Sequence, residues 1–376
     1  MTTAVGSVFS AVLDPVNRHD PYPLFTSLRR EPVSVTADGR YVVSTFDAVS
    51  ALLPDPRLSS AGAVTDLVGL PPSFLMQDPP DHDRLRRLAY RPLGPHWVAD
   101  LEPKLVALAG ELAGDLRPST VDIVDDFAYP LPIRVICTLL GVPLADEPRF
   151  RVWIDRALTA VQPDRGALEE LAEYMSELTA APGLLRDLAA DGGMSRAELV
   201  STAMLLLIAG HETTVNLIAN SALVLLRRPL WCDRLVAEPG LEIRFVEEVL
   251  RHDPPVQMLT WRTALDDIPV AGTTIPRGAS VTLLLAAANR DPARFAHPDR
   301  FDPDRRPAPH LAFGAGIHYC FGAPLARLEA QVALRTLAPI LAGARLLEDP
   351  PEYRLSAVLR GPRHLRVALD PPSTLS

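Results

Sequence analysis

Residues 313–322 read Phe313-Gly314-Ala315-Gly316-Ile317-His318-Tyr319-Cys320-Phe321-Gly322. Glycine at 314, 316 and 322 describes a tight loop whose backbone must come close to something planar or charged. Directly afterwards Pro324 suits a first helical turn, and Leu325, Leu328 and Val332 mark an apolar helical stripe. Cys320 therefore sits just ahead of a helix N-terminus, where the dipole and the unpaired N–H groups favour thiolate over thiol. A thiolate is what a metal ligand or a nucleophile requires. No histidine lies at a position that argues for its activating Cys320 as a base, and a nucleophile would leave the flanking glycines unexplained. The plainer alternative, an inert buried cysteine, suits Cys137, among Ile136, Leu139 and Leu140, and Cys232 better than it suits Cys320.

Outward from this loop, the longest helical pattern starts at Ser195, a good N-cap with Glu198 three residues on, and runs to Leu226 before Arg227, Arg228 and Pro229 stop it. At 1.5 Å per residue it spans about 45 Å, and being apolar around most of its girth it belongs at the centre of the fold. In its middle stands Ala209-Gly210-His211-Glu212-Thr213-Thr214. Gly210 costs about 1 kcal/mol relative to alanine in a helix interior, and successive threonines compete for backbone carbonyls. Two readings stand side by side. Ala209 and Gly210 let a flat ligand approach while Glu212 and Thr213 open a notch that holds water and passes protons, or the helix is bent and its polar residues point at a loop. A third pattern, Glu248 and Arg251 at i and i+3, shares a helix face; on its own it is a common surface pair, and Glu247 could take Arg251 instead.

The chain has 376 residues, 48% hydrophobic and 22% charged, which excludes a disordered or collagen-like protein. The 38 prolines imply many short rigid connections. With 37 basic and 46 acidic residues the net charge is −9, so nucleic acid and anionic membranes are not expected partners. The three cysteines are odd in number and more than 80 residues apart, which argues against a disulfide framework and for a reducing compartment, and the N-terminus lacks a signal-peptide pattern, which points to a cytoplasmic protein. Apolar runs such as 203–210 fall short of a membrane span. Helical spacing dominates between 81 and 251, with segments near 82–92, 100–115, 131–140, 146–161, 167–188 and 230–238. Strands are expected only at 34–44, around the Asp38-Gly39 turn, and at 257–287, where Ile275-Pro276-Arg277-Gly278 is a turn. The fold is mainly α, a large helical lobe with a long central helix plus small β-sheets, in one domain of two lobes over 1–376.

Taken together, these motifs resemble the cytochrome P450 family from about Asp20 to the C-terminal tail. The loop 313–322 matches F-G-x-G-x-H-x-C-x-G, Ala209 to Thr214 match A-G-x-E-T-T, and Glu248 with Arg251 match E-x-x-R. Further matches are Asp78-Pro79-Pro80-Asp81-His82 with Arg86, Arg262 after the proline pair, Asn289-Arg290-Asp291-Pro292 and Pro298-Asp299-Arg300-Phe301. The resemblance implies a haem b whose iron takes Cys320 as axial thiolate. It further implies that His82, Arg86, Arg262 and His318 bind the haem propionates and that Phe313 lies under the porphyrin. Gly314 and Gly322 would admit close backbone, and Ala209 and Gly210 would face the distal side. Glu248, Arg251 and Arg300 would form a buried network behind the cysteine loop. Thr213 and Glu212 would deliver the protons that oxygen reduction requires, making the protein a monooxygenase.

The resemblance also implies a monomer that receives electrons from NAD(P)H through a ferredoxin and its reductase. Arg84, Arg87 and Arg91, at i, i+3 and i+7 on one helix face, offer a basic docking patch or are merely a solvated face. By position in the family, 61–76, 161–181, 205–209, 257–260 and a turn near Val358 and Leu359 could line a largely apolar pocket. Such a pocket suits a lipophilic small molecule, hydroxylated or epoxidised in secondary metabolism. The alternatives are a relative that couples or cyclises its substrate by radical chemistry, a non-catalytic haem-thiolate sensor or carrier, and a purely structural helical protein.

Overall fold

The computed structural model describes residues 2–61, 71–90, 95–116, 120–158, 164–180 and 183–369. The chain divides into two units, one of residues 1–59, 106–128 and 213–376, the other of 60–105 and 129–212. Arg91, and the parts of the expected pocket at 62–70, 161–163 and 181, lie outside the described residues.

In the first unit the turn at Asp38-Gly39 forms as expected. Gly39 has φ +82°, its N–H donates to the Thr36 carbonyl at 3.0 Å, and Thr36 Oγ1 bonds Asp38. The flanking strands Val33–Val35 and Tyr41–Val43 enter a five-stranded sheet with Ser280–Leu283, Leu259–Ala264 and Leu58–Ser59, in that order. Its pairings are antiparallel except Tyr41–Val43 with Ser280–Leu283. Beneath it Val43, Val49, Leu52, Val281, Leu283 and Phe295 form a buried apolar cluster. Ile268–Val270 and Thr273–Ile275 make a separate hairpin.

The strand expectation is too narrow. Thr120–Asp122, Arg366–Ala368 and Arg345–Leu346 build a third sheet. Strands of two or three residues carrying charged side chains leave no alternation to read. The helical expectation is also too narrow, since Thr2–Leu13, Tyr22–Leu28 and Phe46–Leu52 are helices ahead of residue 81. The helix after the cysteine loop is Ala323–Leu341, packed on Leu230–Ala237 and Leu241–His252.

In the second unit Asp81–Tyr90, Pro130–Leu140 and Glu147–Leu158 follow the expected segments. The segment near 167–188 is instead two helices, Arg165–Leu178 and Leu184–Ala190. Gly183 precedes the second with φ +148°, and a Cβ there would stand 2.8 Å from the Gly141 Cα, so this crossing admits only glycine. Phe150, Trp153 and Tyr174 pack edge-on or tilted with centroids 5.2 to 5.6 Å apart.

The long helix is Arg196–Arg227. Its capping box forms as the sequence implies. Ser195 N–H donates to Glu198 Oε2 at 2.8 Å, and Glu198 N–H donates to Ser195 Oγ at 3.3 Å. Glu198 also pairs with Arg84, which bonds Asp81 as well, so Arg84 of the expected docking patch is paired with two carboxylates of its own chain. By length and composition this helix could cross a membrane, but 72% of its apolar stretch is buried inside the protein, as in a core helix.

Glu329, on Ala323–Leu341, is buried and hydrogen-bonded to Thr214 of the long helix; its Oε2 has no hydrogen-bond partner. Burial pushes its carboxyl up to about 8 from 4.5 against the pull of Thr214. Between those two pH values the folded chain holds a proton that the unfolded chain has released. The stabilising contribution is therefore full below about pH 4.5 and is lost as pH rises through about 8, at no more than about 1.4 kcal/mol per pH unit. Urea unfolding of wild type and Glu329→Gln from pH 5 to 9 should show the variant gaining on wild type up to about pH 8 and then running parallel to it.

Candidate haem site

The cysteine loop is closed by its own backbone. Cys320 N–H donates to the Phe313 carbonyl at 2.9 Å, with a 3-10 turn at Gly316–His318 between them. Gly316 has φ +70°, and a Cβ there would lie 2.7 Å from the Pro54 Cα; only glycine fits. At Gly322, by contrast, a Cβ would meet nothing within 4 Å, and at Gly314 only the His318 carbonyl at 3.8 Å. Gly322 caps the helix Ala323–Leu341, with Pro324 in its first turn as expected. Cys320 is half-buried, while Cys137 and Cys232 are buried and free. Burial pushes the Cys137 thiol up to about 12 and the Cys232 thiol up to about 11, so both stay protonated and inert, in line with the sequence reading. The Phe313 ring lies 4.5 Å from the Arg327 guanidinium.

Two neighbouring carboxylates on the helix Leu241–His252 organise what surrounds this loop. Glu248 and Arg251 form a two-pronged pair at 2.7 and 2.8 Å, each side chain only 2% exposed. The remaining Arg251 donors go to the carbonyls of Asn289, Pro298 and Arg300. Glu248 also accepts the Asp302 N–H at 2.8 Å and Arg305 Nε at 2.9 Å. This corrects the expected network. Arg305, not Arg300, is the third member. The Arg300 side chain is 71% exposed and contributes only its carbonyl, with Asp302 at 3.9 Å as its ion partner. Glu247 does not take Arg251 but Arg327 at 2.6 Å and His310 at 3.2 Å. Burial would raise the Glu247 carboxyl, but His310 and Arg327 hold it down at about 2. Arg305, His310 and Arg327 were missed in the sequence because each joins its carboxylate across more than 50 residues, and no local spacing announces such a pair.

The other expected residues are placed as follows. Arg262 lies on Leu259–Ala264, 6% exposed, with Nη1 on the Trp261 carbonyl at 3.0 Å, and His318 lies in the cysteine loop, half-buried. These belong with Cys320 to the first unit, as does Thr213; His82, Arg86, Ala209, Gly210 and Glu212 belong to the second. His82 and Arg86 stand one turn apart on Asp81–Tyr90. His82 is buried with Nδ1 2.7 Å from Asp83, and Arg86 lies 6.0 Å from the Phe74 ring. On the long helix Glu212 is buried, whereas Leu205, Ile208, Ala209 and Thr213 retain accessible surface. Their i, i+3, i+4, i+8 spacing places them on one face of the helix, and Gly210 beside them is also only partly buried. At Gly210 a Cβ would touch only Ile136 Cδ1, at an ordinary 3.6 Å.

A cytochrome P450 family model matches residues 243–338, which include the Glu248 network and the cysteine loop. Over nearly its whole length the chain is also 40% identical to the vitamin D(3) 25-hydroxylase of Pseudonocardia autotrophica, covering 94% of this chain and 95% of that protein. The chain is a cytochrome P450. It is 39% identical to the cytochrome P450 monooxygenase PikC of Streptomyces venezuelae, over 85% of this chain and 83% of that one. Among solved structures, the ligand-free CYP164A2 of Mycobacterium smegmatis superposes with a TM-score of 0.88 at 39% identity, covering 97% of this P450 and 100% of that chain.

This P450 is accordingly an oxidoreductase of the monooxygenase family, whose cofactor is haem. Its own residues fit that group. Of its cysteines only Cys320 is accessible, a Cβ at Gly322 would meet nothing within 4 Å, and Arg262 and His318 of the same unit are donors of the kind that suits carboxylates.

Two outcomes follow for the loop and its support. Arg305→Ala should lower unfolding free energy by about 1.5–3 kcal/mol, since it removes a hydrogen bond between charged groups, whereas Arg300→Ala should stay within about 0.5 kcal/mol. Denaturant titration of both variants decides between the two arginines. Gly316→Ala should cost at least about 1 kcal/mol in the same measurement, because both its φ and the Pro54 contact oppose a side chain.

Proposed function

We propose that this P450 hydroxylates or epoxidises a lipophilic small molecule of secondary metabolism in the cytoplasm. Electrons would come from NAD(P)H through a ferredoxin and its reductase, and the working enzyme would be a monomer. The observation that carries this reading is Cys320, the accessible cysteine, held ahead of a helix N-terminus by a loop shaped for glycine. Cys320 would hold the iron of haem b through its thiolate. His82, Arg86, Arg262 and His318 would bind its propionates, Phe313, Gly314 and Gly322 would line the cysteine side, and Ala209 and Gly210 would face it from the long helix. When bound, a thiolate-ligated haem supplies reductive activation of O2.

The chain's part in the chemistry is to hold and move protons. Half-buried Thr213 would present its hydroxyl, and Glu212, buried beside it in sequence, would be linked through water to the proton source that serves it. Leu205 and Ile208 would extend the helix face of Thr213 with apolar surface and exclude water from the reacting position. One relative is by name a vitamin D(3) hydroxylase, which agrees with an apolar substrate here.

Cys320→Ser should abolish the red-displaced absorption band of the reduced, carbon monoxide-treated protein; an unaltered band removes the ligand assignment. Thr213→Ala should continue to consume oxygen while product falls and peroxide rises. Unchanged coupling would refute the proton path. Mass spectrometry of the product then separates addition of one oxygen from the loss of two hydrogens that oxidative coupling would give.

A further inference from the structure

Arg300, released from the buried network, lines something else. In the first unit, a surface cavity of about 550 Å³ is walled by Arg294, His297, Arg300, Arg305, Arg306 and Asp302. Arg305 is spent on Glu248 and on two backbone carbonyls. The other three arginines are exposed. Among the described residues Arg294 and Arg306 have no ion pair, Arg294 resting 5.2 Å over the Phe46 ring, and Arg300 has only Asp302 at 3.9 Å. Asp302 offsets the Arg300 guanidinium in part, which leaves Arg294 and Arg306 on the same concavity with no carboxylate among the described residues. On a chain of net charge −9 such a grouping is not the average surface.

We infer that this cavity is a binding site for a small polyphosphate-bearing molecule. Guanidinium forks match phosphate oxygens in pairs, and three of them around one space suit adjoining phosphates rather than a single carboxylate. The volume lies within the usual range of small-molecule sites and exceeds what one bare phosphate fills. The site uses none of the residues assigned to haem or to proton delivery. It is joined to the cysteine loop's support by Arg305, which contributes to the cavity wall while its Nε holds Glu248 and its Nη2 holds the Arg300 carbonyl.

Isothermal titration of the haem-loaded enzyme with inorganic pyrophosphate at low salt tests the inference. ADP forms a second arm that separates a bare anion from an organic polyphosphate, and citrate a third as a carboxylate of similar charge. One saturable site is expected for pyrophosphate, with at least tenfold weaker binding in the Arg300→Ala, Arg306→Ala double variant and weaker binding of citrate to wild type. Pyrophosphate should also raise the melting temperature of wild type but not of the double variant. Absence of saturable binding, an unchanged Kd in the double variant, or citrate bound as tightly as pyrophosphate would each overturn it. If the double variant does not fold, Arg294→Gln carries the same two outcomes.

Discussion

Glu248 and Arg251 share a bond sealed from solvent, and the surroundings of the cysteine loop are arranged to keep it satisfied. A buried pair contributes little by itself, but removing one partner strands a charge at a cost of about 3–5 kcal/mol. Every remaining donor of Arg251 therefore finds a carbonyl, at 289, 298 and 300, and the spare capacity of Glu248 is taken by the Asp302 N–H and Arg305. In satisfying itself the pair pins the segment 289–305 to the helix Leu241–His252. Glu247, one residue earlier, does the same for the helix that follows the cysteine, through Arg327. Two successive carboxylates thus hold two different segments, and the loop carrying Cys320 runs between the segments they hold.

The chemistry asked of this framework is modest in residue count. A haem-thiolate enzyme needs a ligand sulfur, donors for two carboxylates and a route for protons, and leaves the oxidation itself to the cofactor. On the long helix the accessible residues around 205–213 fall in the stretch where glycine and threonine weaken helix propensity.

Much of this was legible in the sequence where one local spacing carried the signal. The loop 313–322, the capping box at Ser195 and Glu198, and the Asp38-Gly39 turn each formed as their residues dictate, because caps and turns are decided within four or five positions. The motif resemblance led to the right family for the same reason. What failed depended on distance. Thr120–Asp122 becomes a strand only because Arg366–Ala368 comes to lie beside it. Arg300 and Arg305 are both plausible partners for a carboxylate in sequence, and only the path of the chain between them decides which guanidinium is turned inward. The division of the helical segment at Gly183 is likewise set by the backbone it crosses, at Gly141.

The state of the three thiols has a consequence for the protein's durability. With Cys137 and Cys232 shielded and protonated, oxidants and alkylating reagents meet effectively a one-thiol protein, and that thiol is the sulfur on which iron would sit. With Cys320 as the ligand, loss of the cofactor would uncover the same atom to sulfenic and then irreversible sulfinic oxidation. Ageing of the apoprotein and loss of the capacity to be reconstituted would then be one chemical event at a single side chain.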